Sequence, residues 1–308
     1  MVRVPFPGVD QKHLARSNVT RLCAVIEVQA PVCDDERDWN GVAVLGHGLA
    51  RFETQAHHTH RPAIRDLLEA EWTGLLTDAW VWHVNIIHAT GIEGARHARG
   101  TVVVIDVLRS FTVSAYALAG GARECRLVRT VDEARALAAS TPGAVICAEE
   151  EGLPVEGIAI SNSPTKIGEL DLTGRVLIQR SSAGTQVAAE VKSDDIFAAS
   201  LVVATATVQA CLLTKPETLT LIASADHPED HACAHYMEEV IRGRKPDLVR
   251  LLRPLRETDR YQKVSRGEWP GFPPTDLDLA LTADRFDFAM PVTKETGYLR
   301  LSRATRKT

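Results

Sequence analysis

Between Thr101 and Ala122 the chain reads TVVVIDVLRSFTVSAYALAGGA. An unbroken run of Val and Ile suits a strand covered on both faces, because a strand with one wet face alternates apolar and polar residues. The run stops on a charged patch, Asp106 to Arg109, then restarts as a segment of helical length ending on two glycines. The same alternation continues along the chain. Strands are expected over 84–90, 101–108, 124–128, 144–150, 174–180, 195–202 and 218–224. Helices are expected over 111–122, 130–140, 184–191, 206–214 and 229–243. Thr130 is placed to cap the second of these, with Glu133 completing a capping box. Strands alternating with helices predict an α/β fold: three layers, a mostly parallel sheet with helices on both faces. The last part is read as a short helix with loops over 242–276, then a helix and a closing strand. VVIDVLRSFTVSA and VLIQRSSAGTQVA are both strand, polar loop, threonine, helix. That weak echo leaves open two related half-units.

Residues 1–83 differ in character from 84–308. They hold four of the five tryptophans, with a strand expected over 21–32 and a helix over 61–79. A small subdomain, a loosely ordered extension and a start-site artefact all fit this stretch, so 84–308 is taken as the regular α/β domain. The net charge of -5 and pI near 6.1 argue against nucleic acid as a partner. No apolar run reaches membrane-span length. Six cysteines without a C-x-x-C spacing point to a reduced, cytoplasmic setting. A homo-oligomer stays open.

In open α/β sheets, ligands bind beyond the carboxyl ends of the strands, where helix N-termini favour anions. The polar residues at those ends form five groups. Asp106 can hold a metal ion, activate water or attack phosphorus, and Arg109 can grip a phosphate or carboxylate in two-pronged fashion. Ser110 and Thr112 suit a helix cap or an oxyanion. The bland reading is an internal Asp106–Arg109 salt bridge. In AEEEG, three successive acids repel one another, and Glu149 lies nearest the strand. Asn162 and Ser163 offer hydrogen bonds on a loop stiffened by Pro164. Arg180, Ser181, Ser182, Gly184 and Thr185 form a cradle, or simply another cap. Glu229 and Asp230 open a helix, where acids are favourable anyway. His231 and His235 follow at i, i+4, a zinc-compatible spacing without the glutamate of H-E-x-x-H. His57, His58 and His60 read as an exposed polar loop.

Taken in order, the DVLRSFT block, AEEEG before SNSP, QRSSAGTQ and EDHACAH resemble the 2-phosphosulfolactate phosphatase family over roughly residues 84–302. The resemblance implies an enzyme of coenzyme M biosynthesis. It would release phosphate from 2-phospho-3-sulfolactate with Mg²⁺, leaving the hydroxy acid. By position it carries over Asp106, Arg109 and Thr112, Glu149 and Gly152, Asn162 to Pro164, Gly184 and Thr185, and Glu229, Asp230 and Cys233; the reading built on these expects Asp106 and Glu149, with Asp230, to hold Mg²⁺. Asp106, Arg109 and Arg180 carry the chemistry in that reading. Ser110, Thr112, Asn162, Ser163, Ser181, Ser182, Gly184 and Thr185 bind the substrate. Departures bear on the substrate: Glu150 stands where the family has arginine, and Ser161 where it has glycine. A phosphatase for a different small ester and a non-catalytic anion binder remain as alternatives.

Overall fold

The computed structural model describes residues 84–305 throughout and, before them, the backbone of two short strands at 41–45 and 48–52. The chain divides into two units, Met1–Arg61 and Pro62–Thr308. In the first, β1 (Gly41–Leu45) pairs antiparallel with β2 (Gly48–Phe52). The strand expected over 21–32, the helix over 61–79, the His57–His60 cluster and the nature of 1–83 as a whole lie outside the described residues.

The second unit starts with β3 (Asn85–Thr90), α1 (Gly91–His97), β4 (Thr101–Ile105), α2 (Ser110–Ala119), β5 (Glu124–Leu127) and α3 (Val131–Ala139). It continues through β6 (Val145–Glu150), β7 (Leu153–Pro154), α4 (Pro164–Gly168), β8 (Val176–Arg180), α5 (Gly184–Glu190) and β9 (Ile196–Ala199). Next come α6 (Ala204–Leu213), β10 (Thr218–Ala223) and α7 (Pro228–Ile241). Three short helices follow: α8 (Leu248–Leu251), α9 (Arg253–Arg256) and α10 (Asp259–Ser265). The last elements are α11 (Thr275–Ala280), β11 (Phe288–Glu295), β12 (Tyr298–Leu301) and β13 (Ala304–Thr305).

The strands form one mixed sheet in the order β3-β10-β4-β9-β11-β12-β5-β8-β6-β7, with β13 beside β11. β3, β10, β4 and β9 are mutually parallel, and so are β5, β8 and β6. The antiparallel hairpin β11–β12 lies between these two blocks, antiparallel to β9 on one side and to β5 on the other. The two blocks therefore run in opposite senses. The closing strand expected near the C-terminus is thus a hairpin in the middle of the sheet. Pattern alone could not place it, because the burial of β11 gives no hint of which strands flank it.

β4 explains why its sequence is uniformly apolar. Val102 and Val104 point into a core shared with α1, α2 and α5. Val103 and Ile105 point into a second core, shared with α6 and α7. The strand is covered on both faces, as a three-layer α/β arrangement requires. Strand β4 stops at Ile105, where the charged patch begins, although the apolar pattern reached Leu108. Thr130 caps α3 as its sequence implied: its side chain accepts from the Glu133 N–H, and the Glu133 carboxylate accepts from the Thr130 N–H.

The capping box gives a direct check on the local reading. Thr130→Ala removes one capping oxygen from an exposed helix start and is expected to cost about 1 kcal/mol in urea unfolding. The change should be confined to stability, since Thr130 does not line the cavity described next.

Candidate active site

Asp106 follows β4 and is held by two helices at once. Its Oδ1 accepts the Ser110 N–H at 2.9 Å, at the start of α2. Its Oδ2 accepts the Gly184 N–H at 2.9 Å, at the start of α5. Gly184 is required by that approach: a Cβ there would lie 2.6 Å from Asp106 Oδ2 and 3.1 Å from Ser110 Cβ. The free N–H groups expected to cradle a substrate anion are therefore engaged by the protein's own carboxylate.

Asp106 forms one wall of a cavity of about 320 Å³, together with Arg109, Glu149, Asp230 and Arg260. Glu149, at the end of β6, accepts N–H bonds from Ser182 and Gly152, each at 2.5 Å. Of the three acids in AEEEG it is the buried one; Glu150 and Glu151 are exposed. Asp230, in the first turn of α7, accepts the Val107 N–H at 2.8 Å and the Ser224 hydroxyl at 2.9 Å. Burial pushes the Asp106 carboxyl up to about 6, aided by the charge of Glu149. Burial also raises Asp230 well above the ordinary carboxylate range, with the charge of Asp106 adding to it.

Arg109 is buried, and its partner is not Asp106. Its Nη1 pairs with the fully buried Asp276 at 3.0 Å and donates to the Gly271 carbonyl at 2.7 Å. The guanidinium also lies 3.9 Å over the Phe272 ring. Asp276 in turn accepts from Ser163 Oγ at 2.8 Å and from the Thr165 hydroxyl at 2.6 Å. Gly271 sits at φ +68, with Pro154 and Ser161 crowding the space a Cβ would need.

The structure brings six of the expected residues to the cavity wall: Asp106, Arg109, Glu149, Asn162, Ser182 and Asp230. Gly184 stands behind Asp106. The others serve the fold around them. Thr112 donates to the Val107 carbonyl, Ser110 receives the Gln179 amide, and Ser181 and Thr185 cap α5 reciprocally. Ser163 caps α4 and ties it to Asp276. Arg180 does not line the cavity; it donates to the Glu149 carbonyl and to Ser182 Oγ and lies 4.0 Å from Glu150.

Sequence reasoning missed Arg260, His227, Trp269 and Phe272, which also line the cavity. Arg260 pairs with the buried Glu229, whose second oxygen, Oε2, has no hydrogen-bond partner. His227 is held down at about 4 by burial and by the nearby Arg260 charge. Arg260, Trp269 and Phe272 come from a stretch rich in arginine, proline and glycine, where no spacing singles out one position, whereas His227 sits two residues before Glu229 and was passed over for the acids beside it.

The donor set bears on a metal. Three buried carboxylates face one cavity, while Arg109 and Arg260 already answer Asp276 and Glu229. Among the described residues of the wall no cation is left to pair with them, which fits the raised Asp106 and Asp230, and a hard divalent cation with oxygen ligands would let all three ionise together. The ligand atoms of Asp106, Glu149 and Asp230 do not all come within 4.8 Å of one another; among the described residues, another cluster does. Mg²⁺ keeps several of its waters and needs only one or two direct carboxylates, so the donor set fits a hydrated ion.

The cavity is lined by Asp106 after β4, Glu149 of β6 and Ser224 after β10, the strand ends at which α/β proteins take their ligands. The family model described as 2-phosphosulpholactate phosphatase matches residues 87–261, and the chain belongs to that family. A Bacillus subtilis protein named probable 2-phosphosulfolactate phosphatase is 36% identical over 145 residues, 46% of this chain and 64% of its own length. A Thermoplasma acidophilum protein of the same name is 29% identical over 185 residues, 59% of this chain and 81% of its own. One from Thermotoga maritima is 32% identical over 126 residues, 41% and 54% respectively. The chain thus spans a little under two thirds of the first relative and about half of the third.

Two outcomes test the geometry. Gly184→Ala forces the Asp106 carboxylate out of its seat, and the hydrolysis proposed below should fall by about 100-fold while the far-ultraviolet circular dichroism stays native. The second concerns acidity. Asp106 has a higher pKa folded than unfolded, so its stabilising effect is complete below pH 4 and is lost as the pH rises through 6. The difference in unfolding free energy between wild type and Asp106→Asn, without metal, should therefore shift against the wild type by about 3 kcal/mol across that window. Denaturant titrations at a series of pH values measure it.

Proposed function

We propose that this protein is a Mg²⁺-dependent phosphomonoesterase acting on a small phosphorylated hydroxy acid, 2-phospho-3-sulfolactate or a close analogue. The observation that carries the reading is the cavity itself: Asp106 locked between two helix starts, with Glu149 and Asp230 beside it and two arginines on the same wall. Family membership and the names of the relatives supply the substrate class.

Asp106 and Glu149, with Asp230, would hold the ion. When bound, Mg²⁺ supplies Lewis-acid stabilisation of charge on the phosphoryl group. The chain does the rest by positioning. The paired N–H donors fix both oxygens of Asp106, so no reorganisation is needed as charge develops. Arg109 is anchored at Nη1 and stacked on Phe272, which fixes the plane of its guanidinium for an anionic group of the substrate. Arg260 supplies a second cation. Asn162 and Ser182 offer polar contacts, and Leu108, Trp269 and Phe272 exclude water from the remaining wall.

One observation favours a second reading within the same class. Glu150 stands beside Arg180 and offsets a charge at the rim where the family carries arginine. A less charged 2-phospho acid would suit that rim better than one bearing a sulfonate.

The test is phosphate release from 2-phospho-3-sulfolactate and from sulfonate-free 2-phospho acids, with and without Mg²⁺. Mg²⁺-dependent release that falls at least 1,000-fold in Asp106→Asn is the expected result. Faster release from the sulfonate-free compounds would establish the second reading. Tight binding of the esters without release would leave an anion binder. Acid quenching during turnover should trap no acyl phosphate; a labelled Asp106 would make it the nucleophile.

A further inference from the structure

The helical pair His231 and His235 does not act as its spacing suggests. His231 turns away and pairs with Asp226 at 2.8 Å. His235 instead meets His88 of β3, the edge strand of the described sheet. The two imidazole rings stack at 4.8 Å between centroids, 30° from parallel. Glu238, one turn beyond His235 on α7, completes the group. His88 Nε2 lies 2.8 Å and His235 Nδ1 4.0 Å from Glu238 Oε2. One ligand atom from each of the three residues lies within 4.8 Å of the other two.

From this cluster we infer a second metal site, one for a borderline transition ion such as Zn²⁺, outside the carboxylate cavity. The ligand chemistry separates the two sites. Two imidazoles and one carboxylate suit Zn²⁺, Co²⁺, Ni²⁺ or Cu²⁺, whereas Mg²⁺ prefers oxygen donors only. Tetrahedral Zn²⁺ with ligands at about 2.0–2.1 Å places neighbouring ligand atoms about 3.4 Å apart. The observed separations straddle that value, so small side-chain rotations close the site. His235 and Glu238 are three apart on one helix face, the spacing at which helical neighbours meet. The Arg242 guanidinium, 3.9 Å from Glu238 Oε1, steadies the carboxylate from behind. All three ligands are partly exposed, which leaves an entry path and a fourth position for water.

Binding is balanced by protons alone. The Nε2 proton that His88 shares with Glu238 moves to Nδ1 or leaves, and the ion takes the lone pair. Burial and the charge of His88 together hold the His235 imidazole below its ordinary value, which keeps it neutral. Cysteines do not compete among the described residues. Cys125, Cys147, Cys211 and Cys233 are all buried, and burial raises each thiol. The consequence is a clip. The ion would join β3 to α7 across 150 residues of chain, and the first turn of α7 carries Asp230 of the cavity.

The test uses the full chain, stripped with chelator and kept in excess Mg²⁺ so that the carboxylate cavity stays supplied. Zn²⁺ is titrated against a chromophoric chelator, and Co²⁺ is followed by its d–d absorption. Wild type should take up one Zn²⁺ per chain, give tetrahedral Co²⁺ bands without a thiolate charge-transfer band, and melt about 5 °C higher with saturating Zn²⁺. His88→Ala and His235→Ala should each weaken uptake at least tenfold, and the double variant should lose both the uptake and the melting shift. His57→Ala/His58→Ala/His60→Ala should keep them. Uptake that survives in the first double variant and vanishes in the second triple one overturns the inference, as does uptake too weak to compete with the chelator. Because uptake and melting are read without substrate, the result stands apart from the phosphatase reading.

Discussion

The two hydrogen bonds to Asp106 are the contact on which the arrangement of this site rests. β4 and β8 lie five steps apart in the sheet, in blocks that run in opposite senses. Even so, the residue after β4 accepts an N–H from the helix that follows β8. The sheet must roll to make that possible, and successive strand twists accumulate in the required way. One carboxylate thereby terminates two helices and ties two halves of the sheet. Its charge is stabilised by both helix starts and opposed by burial and by its acidic neighbours. That balance makes it a place where a cation or a phosphoryl group changes a great deal for a small movement.

The second constraint is the answer given to each buried arginine. Arg109 would carry an unpaired charge in the interior without Asp276, and a buried charge without a partner is among the costliest defects a fold can hold. Asp276 also gathers α4 through Ser163 and Thr165, so the pair fixes the loop after β6 against the C-terminal segment. Arg260 and Glu229 repeat the device, with Arg260 also lining the cavity. The cations near the substrate space are therefore mounted on their own acids, and their direction is set before any ligand arrives.

The sequence disclosed what depends on neighbours in the chain. The run at 101–105 announced a doubly covered strand, because it is short, all β-branched and uninterrupted, which suits a buried strand better than a buried helix. Glu149 stood out as the acid nearest a strand end, and it lies in the cavity wall. Thr130 and Glu133 declared their cap three residues apart. What stayed hidden depends on chain-distant pairing. Arg109 and Asp276 are 167 positions apart, and nothing in either neighbourhood points to the other. Arg180, read as part of an anion cradle, is taken up by the protein itself: two backbone carbonyls, the Ser182 hydroxyl and the nearby Glu150 carboxylate. The histidine pair at i, i+4 carried the right residue type with the wrong companion, since the partner of His235 comes from a strand far earlier in the chain.

The position of the β11–β12 hairpin has a consequence for biosynthesis. One block is made in a single run, β5, β6 and β8, between the two halves of the other, β3 and β4 before it and β9 and β10 after it. The element that stitches the blocks together is residues 288–301, made after every strand it joins. Until it emerges, β9 and β5 each present a bare edge, and each needs shielding against mispairing. A nascent chain paused before that point holds two unsealed half-sheets, and the commitment to a single sheet is made late, by its most central strands.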